Sequence, residues 1–259
     1  MKKGYKNIVI GLVFLFLYIP IFVVILFSFN TSKMNIVFEG FTLQWYESFF
    51  RNRSLMDALT NSLIIAVAST VVSVIVGTVG AVGMERYEYK GKKLVNILLY
   101  VPIVIPEIVL GVAMLALFSL MKMEMGLFTM TLAHITFCIP FVVLSVRASL
   151  SGLDKSLEEA SMDLGANHFK TFMRITLPLI APGVISGATL SMSLSIDDVI
   201  ISFFVCGPGS QTLPLKILEM VKHGVSPDVN ALSSVITLLI IVAISTSTYK
   251  DIRKIRMEY

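Results

Sequence analysis

Three carboxylic acids, Glu107, Asp197 and Asp198, stand inside runs of otherwise apolar residues. Insertion scales place an Asp at the centre of a membrane span at about +2.5 to +3.5 kcal/mol, less toward the interface. A chain keeps such groups where they face a cavity, pair with a cation or carry protons. No Lys or Arg falls within any of the apolar runs, so the sequence offers these acids no fixed counter-charge. A cationic cargo is then the expected partner. Two readings stay open at each position. A helix that ended early would make Asp197 and Asp198 interfacial caps. Glu107 follows Pro102 and Pro106, so its carboxylate has a freed backbone N–H within reach. Trp45, the only tryptophan, is either an interfacial belt residue or an aromatic wall for a cation. His134 reads as a satisfied interior histidine, and His168 and His223 as solvated.

The elements that must position these groups follow from composition. Of the 259 residues, 56% are hydrophobic and 15% charged, with a mean hydropathy of +0.84. Soluble domains carry roughly a quarter charged residues, so a soluble enzyme, a disulfide scaffold and a disordered chain are excluded. The net charge of +4 is not gathered on a polar face, which excludes a nucleic-acid surface. Cys138 and Cys206 lie at no metal-ligand spacing. A span needs about 20 apolar residues, and six segments qualify: 8–29, 59–84, 94–121, 125–146, 179–205 and 230–249. Lys2, Lys3 and Lys6 resemble the start of a signal peptide, but the run behind them is long and lacks a small-x-small site, so it is expected to remain as a span. With the N-terminus cytoplasmic, only Lys33, Arg51, Arg53, Lys122, Lys216 and Lys222 of the 21 basic residues fall outside. Both termini are therefore expected in the cytoplasm. In ideal helices Glu107 lies about 20 Å beyond Leu94, and the two aspartates about 22–24 Å beyond Pro182, which puts all three in the outer half of the membrane.

The longest cytoplasmic segment, residues 147–178, carries helix signals of its own. Ser156 and Glu159 stand in S-x-x-E spacing, which predicts a capping box and a helix start. Gly165 is placed as its stop. Leu157, Ala160, Ser161 and Leu164 form an apolar or small face between them. A second helical stretch is expected from Asn167, carrying Phe169, Phe172 and Met173 and ending before Pro178. The product is a short helix-turn-helix whose apolar ridge requires a partner or the membrane surface.

Glu159-Ala160-Ser161, three residues, Gly165, nine residues and Ile175-x-Leu177-Pro178 resemble the EAA loop of binding-protein-dependent ABC importer permeases. The pattern there is E-A-A-x3-G-x9-I-x-L-P, and Ser161 replaces its second alanine, small for small. The resemblance implies an all-α permease of MetI-like architecture with six transmembrane helices, forming one integral domain over 1–259. It also implies that the loop is a coupling helix docked in a groove of an ATPase subunit. Ser156, Glu159, Ala160, Ser161, Gly165, Ile175, Leu177 and Pro178 are then interface and shape residues, not catalytic ones. The chain itself would hold no cofactor and no metal; ATP and Mg would belong to the ATPase. The absence of any G-x-x-x-x-G-K-[ST] phosphate loop agrees with that division.

Further stretches are similar to the PotC-type permease family of spermidine/putrescine importers. They are Tyr18-Ile19-Pro20-Ile21, Phe41-Thr42-Leu43-Gln44-Trp45-Tyr46, His134-Ile135-Thr136-Phe137-Cys138, Ser193-Leu194-Ser195-Ile196-Asp197-Asp198-Val199, Leu213-Pro214-Leu215-Lys216-Ile217 and Val225-Ser226-Pro227. In that family the positions of Trp45, Glu107, Ser195, Asp197 and Asp198 are associated with polyamine passage. Glu107 stands where Asp is also found, and His168 occupies a position that is acidic in some relatives. The resemblance implies four kinds of partner: a second, PotB-type permease, a PotA-type ATPase homodimer, an extracytoplasmic PotD-type binding protein, and membrane lipid. It implies no nucleic acid. A polyamine, with ammonium groups spaced by methylenes, suits spaced carboxylates beside an aromatic wall.

Other classes are weaker on the same residues. An importer of another organic cation would use the same acids. An ion-driven secondary transporter also keeps buried acids, but has no use for a docking motif. A membrane aspartyl protease needs two facing acids, whereas adjacent residues on a helix point about 100° apart.

Overall fold

The computed structural model describes residues 3–32, 37–222, 227–238 and 241–242. In chain order the helices are α1 (Lys3–Phe27), α2 (Gln44–Arg51), α3 (Arg53–Arg86), α4 (Lys92–Val104), α5 (Glu107–Leu120), α6 (Leu127–Leu150), α7 (Ser156–Asp163) and α8 (His168–Thr171). A π turn (Phe172–Thr176) leads to α9 (Leu177–Asp197), followed by α10 (Ile200–Val205) and α11 (Leu213–Lys222). Among the described residues the only strand-like pairing is an isolated bridge between Asn30 and Phe41. Among the described residues four segments are long and apolar enough to cross a membrane: Lys6–Phe27, Arg53–Arg86, Leu127–Leu150 and His168–Asp197. A fifth is added if α4 and α5 count as one broken span. The sixth expected span, 230–249, lies largely outside the described residues, of which 227–238 are helical.

The chain divides into two compact units, Met1–Met56 with Ile217–Tyr259, and Asp57–Lys216. In the first unit α1 exposes large apolar side chains along its length, as lipid-facing helices do. The loop after it is tied down by Asn30, whose carbonyl oxygen accepts the Trp45 indole N–H at 2.6 Å. Ser28 and Tyr46 share a hydrogen bond of 2.7 Å. Trp45 and Phe49 are the buried residues of α2, and the Trp45 bond fixes the helix onto this loop.

In the second unit α6 and α9 form the central pair. They approach closely because small residues line the seam: a Cβ on Gly183 would lie 2.7 Å from the Ser145 carbonyl oxygen. Small residues at helix crossings are the membrane solution, since lipid offers no hydrophobic drive. One core cluster gathers Ala81, Met84, Val142, Val146, Leu150 and Ile180. A second gathers Ile65, Leu110, Phe118, Met130, Phe137, Ile201 and Val205.

Two expected spans are broken, each at its acids. The run 94–121 is two helices meeting at 111°, where the sequence suggested one kinked helix. Pro106 supplies no N–H to the Pro102 carbonyl, and it forces Ile105 into the extended region (φ −71°, ψ 135°). The run 179–205 ends at Asp197, because Asp198 is extended (φ −64°, ψ 127°) and turns its side chain to cap α10. Asp competes for local backbone groups in this way and favours caps over helix interiors. The two downstream pieces, α5 and α10, pack together through Leu110, Phe118, Ile201 and Val205.

Candidate functional site

The paired breaks create a cavity of about 410 Å³ lined by Pro102, Ile105, Glu107, Phe137, Phe141, Leu194, Asp197, Asp198 and Ile201, among others. All three acids singled out in the sequence therefore reach one space, and its lining includes no Lys or Arg. Their situations differ. Glu107 opens the first turn of α5 and Asp197 closes α9; both are exposed, and among the described residues no hydrogen bond or ion pair reaches either carboxylate. Asp198 is buried at 8% exposure. Its Oδ1 accepts the Ile201 N–H at 3.2 Å, and its Oδ2 accepts the Ser202 N–H at 2.7 Å. His134 Nε2 lies 3.5 Å from the same Oδ2.

The expectation that none of the acids has a partner within the protein is thus corrected for Asp198. Its partners are backbone amides and an imidazole, which a search for Lys and Arg passes over. The early-ending helix, with Asp198 as a cap, is what the structure contains, and the cap still faces the cavity. The Glu107 carboxylate takes no freed N–H.

The remaining expected site residues lie elsewhere. Ser195 is buried behind the cavity wall, its hydroxyl 2.7 Å from His134 Nδ1 and 3.1 Å from the Ser69 hydroxyl. His134 has no exposed surface and is satisfied, as its sequence context suggested. Trp45 belongs to the first unit, where its indole anchors α2. Among the described residues no three His, Cys, Asp or Glu side chains are placed to hold a metal.

The 147–178 segment projects as α7 and α8. Its stop is as the sequence predicts: Gly165 adopts φ +87°, the Ala166 N–H donates to the Ser161 carbonyl at 3.1 Å, and the Gly165 N–H to that of Met162 at 2.9 Å. That double bond pattern is a Schellman motif. The start differs from the expected capping box. Lys155 occupies the cap position without a side-chain bond, and Asp154 Oδ1 accepts the Ser156 N–H at 2.9 Å instead. Bonds from the Ser156 amide and hydroxyl hold the Asp154 carboxyl below its ordinary range. Asn167 caps α8 through the Lys170 N–H at 2.8 Å.

The second stretch does not stop before Pro178 as expected. It widens into the π turn and runs on as α9, with Pro178 in its first turn, where a missing N–H costs little. Leu157, Leu164, Phe169 and Met173 remain exposed on this projection, with Leu164 at 90%. The Ser161 and Thr171 hydroxyls, 3.2 Å apart, hold α7 against α8. Glu158, which sequence reasoning passed over in favour of Glu159, joins α7 to the rest of the unit through Arg86 and Thr176. The available signal was weak: two acids in a first turn suit the helix dipole and ask for nothing more.

The comparisons agree with this arrangement. Residues 73–249 match the family described as binding-protein-dependent transport system inner membrane component. The chain is 43% identical over 235 residues to the spermidine/putrescine transport system permease protein PotC of Escherichia coli (strain K12), covering 91% of this chain and 89% of that one. It is 37% identical over 243 residues to the putrescine transport system permease protein PotI of the same organism, covering 91% and 86%. A solved bacterial ABC transporter involved in the import of the acidic polysaccharide alginate shares the fold, with a TM-score of 0.72 at 14% identity over 96% of this chain and 94% of that one.

Proposed function

This chain belongs to the family of binding-protein-dependent transport system inner membrane components, and from that premise we propose that it passes polyamines, spermidine or putrescine, through the cavity of Glu107, Asp197 and Asp198. It is a multi-pass permease subunit and carries no catalytic site of its own. The observation that carries the cargo reading is the convergence of three carboxylates on one cavity whose lining has no basic residue. Phe137 and Phe141 supply the aromatic wall that methylene spacers and ammonium groups both favour. Two acids without bonds are able to follow a flexible cation, while Asp198 marks a fixed charge. The names of the relatives at 43% and 37% identity support the same cargo class.

A working importer has further parts. A second, PotB-type permease completes the pathway, and a PotA-type ATPase pair holds ATP and Mg. A PotD-type binding protein delivers cargo from outside, with both termini of this chain cytoplasmic. The exposed ridge of Leu157, Leu164 and Phe169 supplies the surface for the ATPase. Closure of the ATPase moves α7. Because Glu158 is bonded to Arg86 at the end of α3 and to Thr176 before α9, that motion is delivered to two spans. Trp45 enters the cargo reading through the resemblance alone.

The test is uptake of labelled spermidine and putrescine in cells with and without this chain, beside an Asp197→Asn variant present at equal membrane level. Uptake that requires the chain and ATP, and that falls in the variant, supports polyamine passage. Uptake of both polyamines unchanged by deletion overturns it. Preferential loss of a different organic cation would move the assignment to that cargo.

A further inference from the structure

Behind the cavity runs a line of buried polar groups that no contact with cargo explains. Ser69 on α3, Ser195 on α9, His134 on α6 and Ser202 on α10 follow one another at 3.1, 2.7 and 3.1 Å. Each is between 0% and 3% exposed, and none of the four lines the cavity. The line ends beside the Asp198 carboxylate, which does line it. Buried polar groups of this kind are retained when fully satisfied, and they then fix a single arrangement of the elements that carry them.

We propose that His134 is a positioning residue for Asp198, and that Ser195 acts on transport through the imidazole without touching the cargo. The proposal rests on the cavity being the cargo site. A carboxylate only accepts, so the ring proton belongs on Nε2, facing Asp198 and the Ser202 hydroxyl. With Nε2 donating, Nδ1 accepts the Ser195 O–H, and the Ser69 hydroxyl stands 3.1 Å from the Ser195 oxygen while also reaching the Ala66 carbonyl at 3.3 Å. Nε2 bonds the Ser202 hydroxyl at 3.1 Å and stands 3.5 Å from the Asp198 carboxylate, in contact with it. Phe137 packs on the imidazole with ring centroids 5.1 Å apart, which limits its rotation. The Ile201 amide holds Asp198 Oδ1, and the Ser202 amide and the imidazole share Oδ2, so both carboxylate oxygens have neighbours that fix them. Orientation of an acting group by buried hydrogen bonds is what makes a site preorganised.

The geometry gives a test that separates position from bulk. In a Gln side chain the amide nitrogen reaches the place of Nε2, whereas an Asn amide reaches only the place of Nδ1. His134→Gln is therefore expected to keep uptake within about threefold of the parent, and His134→Asn to lose about tenfold with the Nε2 contacts to Ser202 and Asp198. Adding Asp198→Asn to His134→Asn should cost less than Asp198→Asn costs in the parent, while adding Glu107→Gln should act in full. Equal uptake by the Gln and Asn variants, at equal membrane level, overturns the proposal.

A second readout needs no transport. In the ¹⁵N-imidazole spectrum of the assembled transporter, Asp198→Asn should move the His134 Nε2 resonance and Ser195→Ala the Nδ1 resonance. Resonances indifferent to both changes overturn the proposal even if the His134 variants do not assemble. A shifted resonance with unchanged uptake in Asp198→Asn upholds the link between imidazole and carboxylate, and it removes the cargo reading of the cavity instead.

Discussion

Arg86 and Glu158 meet at 3.0 Å with only 10% and 18% of their side chains exposed. The guanidinium contacts the carboxylate through both Nε and Nη2, and the Thr176 hydroxyl donates to the same carboxylate at 2.8 Å. An exposed pair would contribute little, but shielding and two-point contact make this one a defined link. It is the point where the projecting α7 is bonded to the end of α3 and to the π turn that opens α9.

Glu158→Ala leaves a shielded guanidinium without its partner, at a cost of about 2–3 kcal/mol. Uptake per ATP hydrolysed should fall about fivefold or more, with the ATPase still bound. Glu158→Gln, which keeps an acceptor for Thr176, should lie between the two. Co-purification and ATPase assays in proteoliposomes separate loss of coupling from loss of assembly. Unchanged coupling in Glu158→Ala would remove the link from the mechanism.

Gly165 sits at φ +87° with open space where a Cβ would go. The cost of Gly165→Ala is then backbone strain alone, about 1–2 kcal/mol. The Schellman stop should loosen and ATP-driven uptake should drop while cargo selectivity stays the same. Circular dichroism of a peptide covering the 147–178 segment, with uptake assays beside it, checks both.

Glu107→Gln and Asp197→Asn remove charge from carboxylates that make no hydrogen bond among the described residues. Neither should change thermal stability by more than about 0.5 kcal/mol, since no network is broken. Each should lower polyamine uptake, and more for the trivalent cargo than for the divalent one. A thermal shift assay and paired spermidine and putrescine uptake give the contrast.

Asp154 contributes to the start of α7 through a depressed carboxyl pKa. A group whose pKa is lowered on folding stabilises above its unfolded value, and the contribution is lost as pH falls through the folded one. Asp154→Ala should therefore weaken the first turn of α7 at neutral pH and make no difference in acid below that depressed value. Helix content of a peptide covering 147–178, followed from pH 7 downward with and without the substitution, reads this directly.

Gly183→Val places side-chain atoms where the Ser145 carbonyl and Ser149 side chain already lie. Backbone stands in the way, so α6 and α9 must separate, at a cost of about 1–3 kcal/mol. The variant should reach the membrane at reduced level and assemble poorly. Normal assembly would show that the seam tolerates separation.

Local pattern was enough for part of this chain. Apolar runs of span length, the Gly165 stop and the second helical start at Asn167 depend on neighbours within a few residues, and those signals survive without a fold. The three acids were legible as well, because a charge in an apolar run is conspicuous whatever surrounds it. Tertiary structure decided the rest. Whether Pro106 kinks or breaks a helix depends on what receives the freed segment, and here α10 does. Whether Asp198 has a partner depends on an imidazole from a different helix, brought near by the packing of α6 against α9. Ser195, two residues before Asp197 on α9, lies behind the cavity wall because helix rotation turns its side chain toward α3 and α6. Such relationships join residues far apart in the chain through distances that only packing sets.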